Sequence, residues 1–181
     1  MILSINVKSP LKAIHTSGHW AAAIVQDLLT LAQRGVIQTE VLNLNSVISE
    51  YMISVEYQKF KQDHPLVAVE VRLAPDLMNV RGSRMYLCKS VANLIANAVE
   101  AQSTGGKILV STANRYVDQP ISGYDTINEG DYAVVKVQDF GSGISSEDME
   151  RIFEPFYTKK AMGRSGTGLG MALVWGTIQD H

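Results

Sequence analysis

The sequence predicts an α/β sandwich of the α+β kind, with a mixed, mostly antiparallel sheet, helices on one face and one long helix in front. Three observations predict this fold class. Helix-like and strand-like pieces are interspersed, two strand-like pieces follow one another across a polar loop, and 46% of the 181 residues are hydrophobic. A chain of this length buries about 70% of its unfolded surface, so we expect one well-formed core.

The long helix is predicted from a start signal and a stop signal. Ser9 and Pro10 provide a cap and a first helical residue, and Gly35 is the expected end. Small and apolar residues recur at alternating spacings of three and four: Leu11, Ile14, Gly18, Ala21, Val25, Leu28 and Ala32. This heptad seam would face a partner helix, as in a homodimer, or pack on its own domain.

The remaining elements follow from hydrophobic period and turn residues. A short strand is expected at 36–44, and Asn45 or Ser46 would cap a helix running to about residue 61. Further elements are a strand at 67–73, a helix at 83–102, strands at 107–116 and 132–138 across a hairpin loop at 117–130, and a helix at 169–179. The segment 139–166 is expected to be irregular.

Charge and composition exclude several function classes. The 16 basic and 18 acidic residues leave a formal net charge of -2, without long runs of one sign, which disfavours a nucleic-acid partner or direct membrane contact. No apolar run approaches the ~18 residues that span a bilayer, and a signal-peptide pattern is missing. The single cysteine, Cys88, is expected to be a small core residue. A cytoplasmic location is therefore expected.

The predicted helix at 83–102 has a polar stripe opposite its apolar face. Asn93, Asn97 and Glu100 share this stripe at helical spacing. Asparagine is a poor helix former, and its neutral amide oxygen suits Mg²⁺, which prefers oxygen ligands and keeps waters and phosphates around it. A plain solvated face remains the alternative.

Two glycine-rich segments are candidate ligand loops. Asp139 follows a strand and precedes Gly141 and Gly143, so a carboxylate there can accept from an amine while backbone passes close to a flat ligand. The run from Gly166 to Gly170 opens the last helix, where backbone N–H groups favour phosphate. An ordinary turn and a flexible linker are the structural alternatives. A protein-kinase interpretation of Asp-Phe-Gly fails, because the other motifs of that family are missing.

Between these loops lies a segment with the character of a lid. Phe153 and Phe156 could anchor it, and Lys159, Lys160 or Arg164 could reach phosphate charge. Loops this long within a compact domain are usually functional or disordered.

Taken together, four motifs resemble the N, G1, F and G2 boxes of sensor histidine kinases, within the GHKL superfamily. They are the segments 93–101 (NLIANAVEA), 139–144 (DFGSGI), 152–159 (IFEPFYTK) and 166–171 (GTGLGM). The resemblance covers about residues 36–181 and implies the ATP-binding catalytic domain of that family.

The resemblance also implies residue roles and cofactors, namely ATP and Mg²⁺. Asn97 would coordinate Mg²⁺, Asn93 would place the triphosphate, and Asp139 would bind the adenine amine. Residues 145–165 would form the ATP lid, with Lys159 as phosphate contact; Asn93, Asn97 and Lys159 would be the catalytic residues. Further nucleotide contacts are implied for Gly141, Gly143, Ile144, Phe153, Phe156, Gly166, Thr167, Gly168, Leu169 and Gly170. Amides, glycines, a metal and a lysine suffice for phosphoryl transfer, which depends on positioning and charge neutralisation.

By the same resemblance, residues 1–35 match the second helix of a dimerisation and phosphoacceptor region. Neither His15 nor His19 is followed by the acidic residue of the family's H box, so the γ-phosphoryl would go to a histidine outside this chain. Residues 36–181 would be a catalytic domain that lacks its C-terminal strands. A response regulator receiver domain would act downstream, and the parent could be membrane-anchored.

Two other functions remain open at this point. One is an ATP-hydrolysing clamp of the same superfamily, although Asn93 stands where those ATPases have a glutamate, and an amide cannot be a general base. The other is a non-catalytic module that dimerises and binds nucleotide.

Overall fold

The computed structural model describes residues 8–32, 38–102, 105–159 and 167–181. Six helices and seven strands lie in these ranges. The helices are α1 (Lys8–Ala32), α2 (Leu44–Ile53), α3 (Val55–Asp63), α4 (Arg84–Glu100), α5 (Ser146–Met149) and α6 (Gly170–Gln179). The strands are β1 (Glu40–Leu42), β2 (Val67–Arg72), β3 (Val80–Gly82), β4 (Gly106–Val117), β5 (Ile121–Ser122), β6 (Thr126–Ile127) and β7 (Gly130–Gln138).

The main sheet has the order β2–β4–β7 and is mixed. Strand β2 pairs parallel with β4, and β4 pairs antiparallel with β7. Two small antiparallel ladders, β1–β3 and β5–β6, complete the described strands. Three of these four ladders are antiparallel, which confirms the mixed, mostly antiparallel sheet.

The core lies between the helices and one face of β4. Ile108, Val110 and Thr112 are buried at alternate positions of β4, as expected for a strand with one face covered. The apolar side of α4 supplies Ile95, which is fully buried, together with Val91, Ala98 and Val99. Helices α2 and α3 close the same cluster with Ile48, Tyr51 and Tyr57. The predicted layering of helices on a sheet face is therefore confirmed.

The helix predicted over 45–61 is wrong as a single element. It is two helices that break at Ser54, which is extended and accepts a hydrogen bond from the Tyr57 N–H through its hydroxyl. The cap of α2 is Asn43, whose side chain accepts from the Asn45 N–H. Neither Asn45 nor Ser46 is that cap, because the side-chain oxygen of Asn43, two residues before Asn45, already accepts from the first turn.

The strand predicted over 36–44 is shorter in the structure. Strand β1 covers only Glu40–Leu42, residues 36–37 lie outside the described ranges, and Leu44 begins α2 instead. Its partner β3 was not predicted, since three residues are too few for a period to stand out. The loop predicted over 117–130 contains the β5–β6 ladder, and the irregular segment contains α5.

Helix α1 confirms the predicted long helix over its described residues, while Gly35 lies outside them. Its seam residues Leu11, Ile14 and Val25 are more than half exposed, and Leu28 is 40% exposed. Toward its end the helix packs near α6, and Asp27 Oδ1 lies 2.7 Å from Lys89 Nζ of α4. Of the described helices, none is long and apolar enough to cross a membrane.

Candidate nucleotide-binding site

The polar stripe of α4 forms one wall of an open cleft. Asn93, Asn97 and Glu100 line it, while Ile95 on the other side of the same helix is buried in the core. The apolar face must stay in the core, and this orients both amides toward the cleft. The predicted division of this helix into an apolar side and a polar side is confirmed, whereas contact of the polar side with a ligand stays a prediction.

The cleft has a volume of about 570 Å³, within the range of small-molecule sites. We call it the nucleotide cleft, after the ligand that the four sequence motifs predict, and its walls come from α1, α4, the loop after β7, the 145–159 segment and the start of α6. The residues that line it are Asp27, Asn93, Ala96, Asn97, Glu100, Ala101, Ser142, Gly143, Ile144, Asp148, Ile152, Tyr157, Thr158, Lys159, Thr167, Gly168, Gly170 and Met171.

The start of α6 lies against Asn93. The Asn93 Nδ2 donates to the Gly170 carbonyl at 3.3 Å, and a Cβ at Gly170 would lie 3.5 Å from the Asn93 amide. The side chain of Leu169 is fully buried, so only its backbone can reach a ligand. Because the first N–H groups of a helix lack intrahelical partners, this end favours an anion. Gly166 lies outside the described residues.

The loop after β7 packs against the end of α4. The Gly141 N–H donates to Asp139 Oδ1 at 2.9 Å, and a Cβ at Gly141 would lie 2.3 Å from the Ala101 carbonyl oxygen. Gly143 has a φ of 72° and lines the nucleotide cleft with Ile144, whereas Asp139 and Gly141 are not among the lining residues, so their contact with a nucleotide stays a prediction. The sequence predicts that Gly141 lets the backbone pass close to a ligand. In the structure, Gly141 lets the backbone pass close to Ala101.

The described part of the lid, residues 145–159, is organised around Asp148. Its Oδ1 lies 2.6 Å from Lys159 Nζ and accepts from the Tyr157 hydroxyl at 2.5 Å, while Oδ2 accepts from the Ser145 hydroxyl at 2.6 Å. These bonds, Lys159 first, hold the pKa of Asp148 far below its usual range. They also raise the pKa values of Lys159 and Tyr157.

The two phenylalanines of the lid have different surroundings. Phe153 stacks on Trp175 of α6 with ring centroids 4.8 Å apart, which supports its predicted role as an anchor. Phe156 is 59% exposed, but its N–H donates to the Gly168 carbonyl at 3.0 Å. Neither ring lines the nucleotide cleft, so their direct contact with a nucleotide stays a prediction.

The sequence pattern that defines the family described as "Histidine kinase-, DNA gyrase B-, and HSP90-like ATPase" matches residues 82–181, more than half of the chain. The chain belongs to this family. It has the ATP-binding catalytic domain of the sensor histidine kinase type, and the resemblance of the four motifs is confirmed. The domain limits at residues 35 and 36 stay predictions.

Known sensor kinases support this membership. The sensor kinase CckA of Brucella abortus (strain 2308) is 32% identical over 168 residues, which are 92% of this chain and 17% of that protein. Two other curated relatives are matched over 33% and 38% of their length, so the chain spans well under half of these proteins.

Two solved histidine kinases share the fold. Full-length ShkA in complex with AMPPNP matches with a TM-score of 0.70 at 18% identity, over 99% of this chain and 35% of that one. ThkA in complex with the response regulator TrrA matches with a TM-score of 0.64 at 21% identity, over 90% and 44%. At these identities the likeness shows the fold alone.

Several residues of this kinase domain's cleft were missed by the sequence interpretation. Asp27 comes from α1, and Asp148 and Tyr157 come from the lid. Asp148 forms a Ser-x-x-Asp helix-start signal with Ser145, and Tyr157 belongs to the 152–159 motif, but the sequence interpretation assigned neither of them a position in the cleft. Nothing in the sequence indicates that Asp27 reaches this cleft.

The donor set fits Mg²⁺ in a shared site. Asn93 and Asn97 offer amide oxygens from one helix face, next to the anion-favouring start of α6. Mg²⁺ commonly binds through one or two protein oxygens with phosphates and waters as its other ligands. Within the described ranges, no group of three or more His, Cys, Asp or Glu side chains could hold a metal ion.

Proposed function

We propose that this kinase domain binds MgATP in the nucleotide cleft and transfers the γ-phosphoryl group to a histidine outside the chain. The observation that carries this proposal is the convergence of Asn93 and Asn97 with the start of α6 at Gly168 and Gly170 in one cleft of about 570 Å³. This arrangement places hard oxygen donors beside a helix N-terminus, which is what a metal-bound triphosphate requires.

Different groups of the cleft would bind the metal and the phosphates. The amide oxygen of Asn97 would hold Mg²⁺, which neutralises phosphate charge when bound, and Asn93 would orient the triphosphate from the same helix face. Backbone N–H groups at the start of α6 would bind phosphate oxygens. In the proposed transfer, the bond between the γ-phosphorus and the β–γ bridging oxygen breaks as a P–N bond to the acceptor imidazole forms; ADP leaves with the bridging oxygen, and the imidazole proton leaves to solvent.

At the base end, Asp139 would receive the adenine amine. One of its oxygens already accepts from the Gly141 N–H, which fixes the carboxylate and leaves the other oxygen for the ligand. An asparagine here would keep the Gly141 bond and present an N–H₂ group to the adenine amine, so two donors would face each other.

Calorimetry with MgATP tests the pocket. Asp139→Asn should raise the Kd about 10- to 100-fold, the value of one hydrogen bond to a charged group. Asp118→Asn is a matched control, because Asp118 is exposed in the loop after β4. Equal affinities for wild type and Asp139→Asn would contradict the assignment of Asp139.

The metal assignment has a separate test. Asn97→Ala should remove most of the difference in ATP affinity between excess Mg²⁺ and excess chelator, while the metal-free affinity changes little. The readout is binding and does not depend on turnover. An Mg²⁺ dependence equal to that of the wild type would contradict the role of Asn97.

The proposed phosphoryl transfer needs an acceptor histidine and a downstream response regulator. ThkA was solved in a complex with a response regulator, and we extend such a downstream partner to this chain. A separate fragment that bears a phosphoacceptor histidine, supplied with MgATP and this chain, should gain acid-labile phosphate. The exposed seam of α1 supports a homodimer of the full-length protein, which ultracentrifugation would test. ATP hydrolysis without any transfer to a matched acceptor would favour the clamp function instead.

A further inference from the structure

The β5–β6 hairpin extends from the main sheet and reaches the lid. Its strands have two residues each and are joined by Gly123, Tyr124 and Asp125. The Thr126 N–H donates to Asp125 Oδ1 at 2.7 Å, which orders this tip. Because a two-stranded hairpin this short has little stability of its own, contacts at its tip must decide where it lies.

Tyr124 makes those contacts with two rings from elsewhere in the chain. Its ring centroid lies 4.8 Å from that of Phe153 in the lid and 5.0 Å from that of Trp175 in α6, both edge-to-face. Phe153 and Trp175 stack at 4.8 Å. We call these three residues the aromatic cluster. A second link joins the hairpin to α6, where Gln179 Nε2 donates to Asp125 Oδ2 at 3.1 Å.

The aromatic cluster is continuous with the nucleotide cleft through the lid backbone. Ile152, the neighbour of Phe153 in the chain, lines the cleft, and so does Tyr157, four residues after Phe153. Between them, the Phe156 N–H donates to the carbonyl of Gly168, which also lines the cleft. Phe153 therefore lies next to one lining residue in the chain and three residues before the hydrogen bond that joins the lid to Gly168.

We propose that Tyr124 is a positioning residue for nucleotide binding: by holding Phe153 against Trp175, the hairpin keeps the described lid residues, 145–159, in place at the wall of the cleft. This inference rests on the proposed MgATP function. Among the described residues, the rings that Tyr124 contacts are those of Phe153 and Trp175, and neither of these lines the cleft, so Tyr124 acts through Phe153. Edge-to-face pairs are favoured by the quadrupoles of the rings, and Tyr124 makes two of the three pairs.

The test uses the full chain in a Trp20→Phe background, where Trp175 is the only tryptophan left. Tyr124→Ala removes two ring contacts and should raise the Kd for MgATP about 5- to 30-fold. It should also shift the emission of Trp175 to the red, because that ring loses cover. Tyr124→Phe keeps the ring, and should restore both the affinity and the emission. Tyr116→Ala is the matched control, since Tyr116 is 60% exposed on β4 and bonds to Glu129.

The outcomes separate this inference from the proposed function. If the wild type binds no MgATP, the proposed function fails. If the wild type binds and Tyr124→Ala binds equally well, the positioning role is overturned. An affinity loss that Tyr124→Phe does not restore also overturns it, since the ring is then not the cause. If Tyr124→Ala melts below the assay temperature, Tyr124→Leu replaces it, and wild-type affinity in that variant overturns the proposal.

Discussion

Gly168 is the position where one added methyl group should be most damaging. Its φ is 69°, in the left-handed region, and an added Cβ would lie 2.5 Å from the Phe156 carbonyl carbon. Gly168→Ala therefore imposes backbone strain and also separates the lid from the start of α6. We expect a large loss in the free energy of unfolding.

The magnitude follows from three contributions. An alanine in the left-handed region costs about 1–2 kcal/mol. Overpacking against the Phe156 backbone adds about 1–3 kcal/mol, and weakening the 3.0 Å bond from the Phe156 N–H to the Gly168 carbonyl adds about 1 kcal/mol. Because Leu169 is fully buried, the displaced turn remains coupled to the core. We expect a total of about 3–6 kcal/mol.

Gly143→Ala is the matched control. Gly143 has a φ of 72°, and no atom of the described residues lies within 4 Å of its added Cβ. It should lose only the strain of about 1–2 kcal/mol. Urea unfolding without nucleotide measures both variants, and the midpoint of Gly168→Ala should fall by about 2 M at an m-value of about 2 kcal/mol/M. Equal losses in the two variants would refute the steric argument.

Three further predictions concern caps, core and charge. Ser54→Ala should lower the free energy of unfolding in urea by about 1 kcal/mol, because the Ser54 hydroxyl caps α3 by a hydrogen bond. Ser83→Ala is the control: Ser83 caps α4 without a side-chain hydrogen bond, so its loss should be smaller. Ile95→Ala should lose about 2–5 kcal/mol in urea titrations, whereas the 57% exposed Ile144→Ala should change by less than about 0.5 kcal/mol. The lowered pKa of Asp148 makes its contribution to stability full above about pH 4 and progressively lost as the pH falls below it. The stability difference between wild type and Asp148→Asn should thus shrink in acid, and a difference independent of pH would contradict the Asp148–Lys159 pair.

Elements with a long period were predictable from the sequence. Over 17 residues, α4 repeats its apolar positions often enough to show which side is buried, and this also places Asn93 and Asn97 on the other side. Strand β4 alternates over 12 residues in the same way. Where an element has only two or three residues, as in β3 and β5, the period cannot be recognised.

A break between two helices that depends on a side-chain cap was predicted less well. Ser54 divides one predicted helix into two because its hydroxyl competes for the backbone N–H of Tyr57. The residues on both sides are compatible with helix, so the break depends on one hydrogen bond of about 1 kcal/mol. Packing of Tyr51 against Tyr57, with ring centroids 5.5 Å apart, accompanies that break.

In the structure, Lys159 has a carboxylate as its partner, whereas the motif predicts a phosphate contact. The sequence suggested a lysine aimed at phosphate, but in the structure its ammonium lies 2.6 Å from Asp148, eleven positions earlier in the chain. A phosphate contact by Lys159 stays a prediction, and it would have to compete with this carboxylate. Asp27 reaches the same cleft from α1, more than sixty residues before Asn93.

The sequence by itself determined the family, the fold class and the helix face that carries the two asparagines, because these depend on local motifs and on periods repeated along one element. Only the tertiary structure decided that Gly141 makes room for Ala101, that Asp148 pairs with Lys159, and that Tyr124 meets Phe153 and Trp175. The physical reason is that close packing and ion pairing depend on distances between residues that are not neighbours in the chain, and neither residue type nor spacing encodes such distances directly.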